Sequence, residues 1–507
     1  LATGRTILKH SAVYTFGSFL EQSLGVLLLP LLAHVLTPAE YGVVSLCRVV
    51  SDFLGIFLSL TLYSGAARLY FDYRDNPKAL REFWGTIFSV LALFSGGIGL
   101  LLMLWGEPLF APFVSDVPFR PLILLSIATA MFNPFITTYF RILQMRQQSI
   151  SFTLLNTSRF ALQVLLIVYL VVFRGWGALG PVAGRCVVTV VYALVCLVLV
   201  SKDLVLCIRW PYLRRALGFS VPVLPAALSS QVVNGADRVI LVNTHGEATN
   251  GLYQCGYQFG YVISVVAIAA NAAFIPVFND ALKSKNEAKL NELRRFSLYL
   301  VCGYCLMGLA LSLFAKELVV VATAKVFHPA YVVIPFISSL FVLKGIYAQL
   351  VSPLQFFRKT LLYSSQVSFF QMVVNLGLNF WWIPKFGIYG ACWAALSSQA
   401  VATLATGLLG YRLSTVRWEY GKYSVLALFT AACSLGVNTV DWGTWWVAIP
   451  AKAVVLVILS LVLSWLAWAD PLHMVRTGRK ELSALSAAAA KYRNGPEKEV
   501  IPSPEEE

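Results

Sequence analysis

The chain has 507 residues, of which 58% are hydrophobic and only 12% charged, whereas soluble domains run to about 25% charged. That balance excludes a soluble enzyme, a secreted disulfide scaffold and a disordered chain, and it defines a polytopic membrane protein. The formal charge of +15 would suggest nucleic acid as a partner of a soluble protein; here its meaning depends on where the cations sit relative to a bilayer.

Fourteen apolar runs follow one another along the chain, at 11–36, 42–67, 83–106, 117–140, 152–173, 177–200, 216–242, 251–277, 295–315, 331–352, 362–383, 387–410, 421–440 and 444–468. At 1.5 Å rise per residue, runs of roughly 20 residues cross about 30 Å of hydrocarbon as helices. The first run is too long for the core of a cleavable signal. No connection exceeds about 17 residues, which leaves no room for a catalytic domain outside the membrane. Sliding the chain by about 209 residues lays "LTPAEYG" (36–42) on "HGEATNG" (245–251), each a short turn between a long helix and its return. The expected fold class is therefore all-α, with two parallel six-helix lobes at 1–210 and 211–412 and a substrate path between them. Two further helices occupy 413–469, and a polar tail occupies 470–507.

Orientation follows from the basic residues. Of the Lys and Arg in connections and tail, 28 fall on the side of the N-terminus and only Arg120, Arg174, Lys316, Lys325 and Lys385 on the other. By the positive-inside rule both termini are expected in the cytoplasm.

Six cations remain inside the apolar runs, Arg48, Arg159, Arg185, Arg238, Lys344 and Lys452, with three acids, Glu21, Asp52 and Asp237. Each costs about 2.5–3.5 kcal/mol at the centre of a membrane helix, so each needs a partner or water. Arg185 and Lys452 lie about eight residues from an outer helix end, within reach of snorkelling to the interface. Asp237 and Arg238, near the outer end of the seventh run, read either as structural ion pairing with other helices or as cavity lining. Arg48 and Asp52 are one turn apart on one helix face and can pair directly, while Glu21 sits mid-span on the preceding helix; these three are expected to line a wetted cleft. Arg159 and Lys344 are too deep to snorkel. The excess of cations favours an anionic substrate. Arg48, Arg159, Arg238 and Lys344 are thus the candidate substrate-binding residues, and Glu21, Asp52 and Asp237 the candidate ion-coupling residues. Prolines within the runs, such as Pro30, Pro134 and Pro276, suit kinked, moving helices.

Motifs of enzymes are missing: no Walker A, no H-E-x-x-H and no G-x-S-x-G. Cys302 and Cys305 have zinc-like spacing but no His or Cys nearby to complete four ligands. No catalytic residue, metal site or bound cofactor is expected, apart from an exchange of H⁺ or Na⁺ as the drive, and the scattered cysteines do not read as disulfides.

Two blocks resemble a known family. "SAVYTFGSFLEQSLGVLLLPLLAHVLTPAEYGVVSL" (11–46) is similar to the opening of Wzx-type polysaccharide flippases, and "NGADRVILVNTHGEATNGLYQCGYQFG" (234–260) to the same family's Asp-Arg then Gly-x-Tyr pattern, here Asp237-Arg238 and Gly251-Leu252-Tyr253. The resemblance implies the multidrug/oligosaccharidyl-lipid/polysaccharide exporter superfamily, with two lobes in a V. It implies an undecaprenyl-pyrophosphate-linked oligosaccharide as substrate, moved across the bacterial cytoplasmic membrane by alternating access. Membrane lipids and other polysaccharide-assembly membrane proteins are the implied partners, and nucleic acid is not. A flippase for lipid-linked peptidoglycan precursor is the nearest rival, followed by a cation-coupled multidrug exporter.

Overall fold

The computed structural model describes residues 25–112, 114, 117–284, 286–356, 360–413, 416–437, 440, 442 and 445–468. Glu21 and the tail 470–507 lie outside them. Among the described residues every regular element is helical.

The first turn shows how local chemistry sets the layout. α1 (Gly25–Val35) gives way to α2 (Pro38–Ser59) through a capping box, in which Glu40 N donates to Thr37 Oγ1 and Thr37 N donates to Glu40 Oε2 at 2.8 Å. Pro38 opens the helix at a position that needs no N–H. α2 breaks at Leu60 and Thr61, whose φ of 46° and 49° are left-handed, and α3 (Leu62–Tyr73) resumes beyond. There follow α4 (Pro77–Trp105), the short α5 (Glu107–Phe110), a π-helical turn (Phe119–Ile123) leading into α6 (Leu124–Met145), α7 (Ser149–Val168) with a second such turn (Tyr169–Phe173), and α8 (Leu179–Ser201). α6 packs on α2, α4 and α8 around a core that includes Phe83, Trp84, Ile87 and Ile136.

The second group begins with α9 (Trp210–Ser220), which is bent by 47° from α10 (Leu224–His245). α9 packs on α3 and α4, and Ser220 ties the α2 break: Thr61 Oγ1 donates to Ser220 O at 2.8 Å and Gly65 N donates to Ser220 Oγ at 3.2 Å. Gly246, with φ 82°, turns the chain into α11 (Glu247–Ser284). Next come α12 (Glu287–Leu313), α13 (Ala315–Ala322), a 3₁₀ segment (Lys325–Val333), α14 (Ile334–Phe356), α15 (Leu361–Phe386) and α16 (Ile388–Leu413). α14 packs on α11, α12 and α16, while α15 pairs with α16 and α10. α17 (Tyr420–Val437) leans on α12 and α14, and α18 (Trp445–Trp468) on α12 and α17.

The two groups meet along α2, which packs on α10 and α11. At the end carrying the 36–37 and 246 turns, α2 and α11 touch backbone to backbone. A Cβ on Gly42 would stand 2.0 Å from the Glu247 carbonyl oxygen, and one on Gly251 1.8 Å from that of Pro38. Buried Asn250 donates from Nδ2 to Gly42 O and Ser45 Oγ, at 2.9 Å each. A shared apolar cluster with Leu28, Leu32, Tyr41, Phe259 and Phe327 covers the same contact. The repeated turns therefore mark where the halves close on each other.

Ten helices of the described residues are long and apolar enough to cross a membrane, or eleven if the bent α9–α10 pair forms one span. The protein is a multi-pass membrane protein. α15, in the expected run 362–383, is membrane-length but carries Gln371, Asn375 and Asn379, which lower its apolarity. α1 is described only from Gly25.

Candidate functional site

The site grows from one face of α2. Arg48 and Asp52 stand one turn apart, with Arg48 Nε 3.6 Å from Asp52 Oδ2. α8 delivers a second guanidinium to the same carboxylate: Arg185 Nη2 donates to Asp52 Oδ1 at 2.5 Å. Arg185 Nη1 is buried with no hydrogen-bond partner among the described residues. One carboxylate thus serves two arginines, and Arg48 keeps 57% of its side chain exposed.

These residues border two adjoining cavities. One, of about 170 Å³, lies within the first lobe and against α11; Arg48, Arg159, Gln163 and Arg185 line it. The other, of about 300 Å³, lies between the lobes, with Arg48 and Asp52 facing Asn234, Arg238, Tyr261 and Lys344. Ser45, Arg48, Gln254 and Gln258 line both, so the two form one bent cleft with Arg48 at its elbow.

The wall supplied by the second lobe is wired differently. Arg238 is 5% exposed and Asp237 3%. Arg238 Nη1 donates to Asp237 Oδ1 at 3.0 Å and also to the Asn234 carbonyl, and its Nε donates to Gln254 Oε1 at 2.7 Å. Tyr253 Oη donates to Asp237 Oδ2 at 2.6 Å, and the Tyr257 ring lies 4.4 Å from the guanidinium carbon. Lys344 Nζ donates to Asn234 Oδ1 at 3.0 Å and sits 5.1 Å from the Phe341 ring centre.

Arg48, Asp52, Arg159, Arg238 and Lys344 thus come together around the cleft. Asp237 stands behind Arg238 and lines a small recess leading to Gln371 and Asn375. Glu21 lies outside the described residues. Two expectations from depth are overturned. Arg185 does not snorkel but turns inward to Asp52. Lys452 is 3% exposed and donates to both carboxylate oxygens of Glu317, at 2.7 and 2.8 Å. Depth along a helix cannot reveal a carboxylate brought up by another one, and the nearer partner prevails. Sequence reasoning also missed Gln163, Gln254 and Gln258. The spacing Gln254–Gln258–Tyr261 within an apolar run, three polar groups on one helix face, was the available signal.

Around the cleft and its recess five cations stand against two carboxylates among the described residues. In a low-dielectric setting, guanidiniums sharing one carboxylate can exchange it for a phosphate, whose several oxygens can accept bidentate bonds. No group of three or more His, Cys, Asp or Glu suited to a metal occurs among the described residues.

The two groups of helices thus face each other across a polar cleft. The chain overlays a lipid II flippase, MurJ, in an inward closed conformation with a TM-score of 0.70 and 13% identity, covering 89% of this chain and 99% of that one. An inward-facing multidrug resistance MATE family transporter of the MOP superfamily overlays with a TM-score of 0.63 and 16% identity, over 80% and 95%. Two curated relatives from Haemophilus influenzae, an uncharacterized membrane protein and Lsg locus putative protein 1, are each 23% identical over 58% of this chain, covering 70% and 71% of their own lengths. A family model described as polysaccharide biosynthesis protein matches residues 7–282. The chain belongs to the polysaccharide biosynthesis protein family.

Proposed function

We propose that the protein is a flippase that carries an undecaprenyl-pyrophosphate-linked oligosaccharide from the cytoplasmic to the periplasmic leaflet of the bacterial inner membrane, without changing it chemically. Both termini lie in the cytoplasm on this reading, which the 28 cations on that side support. The observation that carries the reading is the sharing of Asp52 between Arg48 and Arg185 beside Arg159, in a cavity set among membrane helices. An anion with several oxygens satisfies those arginines better than one carboxylate does. The wider interlobe cavity takes the first sugars, and the polyprenyl tail stays in lipid.

Release needs a competitor, because a bound dianion would otherwise remain on the arginines. Asp52 is that competitor: it holds Arg48 and Arg185 in the empty carrier and is displaced by the substrate. Displaced, it can take up H⁺ or Na⁺ and return to the arginines when the ion leaves. Closure of the α2–α11 contact at one end, alternating with opening there, moves the cleft between the leaflets.

The test is complementation of a strain lacking its own flippase, with membrane levels measured in parallel. Arg48→Ala and Arg159→Ala are expected to abolish export at normal protein levels. Lys at either position should rescue in part, since charge survives but the bidentate fork does not. Full export by both Ala variants would refute recognition through these charges. Rescue of a strain lacking the peptidoglycan-precursor flippase, without glycan export, would reassign the substrate.

A further inference from the structure

Arg238 is a donor with no acceptor, so the amide that meets it must present oxygen. Arg238 Nε indeed donates to Gln254 Oε1, which turns Gln254 Nε2 away from the pair. That Nε2 faces Gln258 Oε1, at 3.4 Å, one turn further along α11. The oxygen of Gln258 therefore lies toward Gln254, and the amide packs on α1 with its Nε2 nearest to Gly25. A Cβ on Gly25 would stand 2.3 Å from that Nε2 and 3.2 Å from the oxygen, so a side chain there must displace the amide end of Gln258. Both glutamines are buried, 9% and 5% exposed, and both line the two cavities at their junction with Arg48.

Resting on the lipid-pyrophosphate reading, we infer that Arg238 is a positioning residue: through Gln254 it orients Gln258 so that amide N–H groups, not carbonyl oxygens, face the cleft beside Arg48, where they read an acceptor-only phosphate. Asp237 and Tyr253 hold Arg238 in place for this task, and Arg238 itself does not touch the substrate. A glutamine free to turn would offer oxygen and N–H equally and would not distinguish phosphate from a hydroxyl. With its direction fixed by a buried guanidinium, it selects acceptors without adding a further charge that would slow release.

The experiment uses the full chain in lipid nanodiscs, with undecaprenyl pyrophosphate and undecaprenol as probes and thermal melting as the check on folding. Gln258→Met removes the last amide, and the neutral double replacement Asp237→Asn with Arg238→Met removes the group that directs it. Each should weaken undecaprenyl pyrophosphate binding about tenfold, the scale of one hydrogen bond to a charged group, and leave undecaprenol unchanged. Combined, they should again give about tenfold, because both break one relay. Gly25→Ala, which pushes aside only the flexible end of Gln258, should melt like the wild type and show a comparable loss. A purely structural role for Arg238 predicts additive losses near a hundredfold, or none at Gly25→Ala; either result overturns the relay, as does wild-type affinity in Gln258→Met. Wild-type protein that binds undecaprenyl pyrophosphate no better than undecaprenol overturns the lipid-pyrophosphate reading, and the relay with it. A retained preference with insensitive variants overturns the relay alone.

Discussion

The two walls of the cleft use the same residue types to opposite ends. On the first lobe Arg48 and Arg185 divide one carboxylate, and 57% and 24% of their side chains stay exposed. On the second, Arg238 has its own carboxylate, a carbonyl, an amide oxygen and an aromatic face, with 6% of its side chain exposed. An arginine with too few acceptors is ready for an anionic ligand; one with its acceptors in place is part of the scaffold. On the proposed function, the count of partners, not the charge, separates binding from positioning.

Breaking the buried side of this comparison should have the largest effect on stability. Arg238→Ala leaves Asp237 in the protein interior without its cation, and removal of one partner of a buried pair costs about 3–5 kcal/mol. A sharply lowered melting temperature and poor membrane accumulation are expected; a wild-type melt would show that Asp237 does not depend on Arg238. The pair of Lys452 with Glu317, with side chains 4% and 11% exposed, should behave alike. Either Lys452→Ala or Glu317→Ala is expected to loosen α18, detected as faster proteolysis of the C-terminal helices. Lys452→Met combined with Glu317→Leu should recover most of the loss, since a neutral, well-filled pair avoids the desolvation of two ions.

On the exposed side the effects pass to function. Arg185→Gln keeps hydrogen bonding to Asp52 but loses a charge, and should weaken substrate binding by about 1.5–3 kcal/mol while melting within a degree or two of the wild type. Equal losses of stability in Arg185→Gln and Arg238→Ala would erase the distinction. The smallest expected effect lies at the contact of the lobes. Thr37→Ala removes the capping box of α2 for about 1 kcal/mol and should lower the melting point slightly without altering transport.

Much of this was legible in the sequence where the information is local. The spacing of four residues between Arg48 and Asp52 gives their pairing, "LTPAEY" gives the capped turn, and the matching "HGEATNG" marks the equivalent turn of the second half. Asp237 and Arg238 read as ion-paired with other helices or as cavity lining, whereas they pair with each other. What was not legible depends on distance in sequence. Asp52 meets Arg185 133 residues away and Lys452 meets Glu317 135 away, and no helical periodicity reports such meetings. The direction of the Gln254 amide is set by a neighbouring helix, so a list of polar residues could not give it.

On the proposed function, the shared arginines make the cleft selective for an anionic lipid head group. Translocation by purified protein in proteoliposomes, with fluorescent polyprenyl-pyrophosphate sugar, a neutral polyprenyl glycoside and a cationic dye compared side by side, measures that selectivity. Rapid flipping of the pyrophosphate lipid alone, lost in Arg48→Ala and Arg159→Ala, is the expected result. Transport of the cationic dye, or flipping of the pyrophosphate lipid by both variants at the wild-type rate, would contradict it.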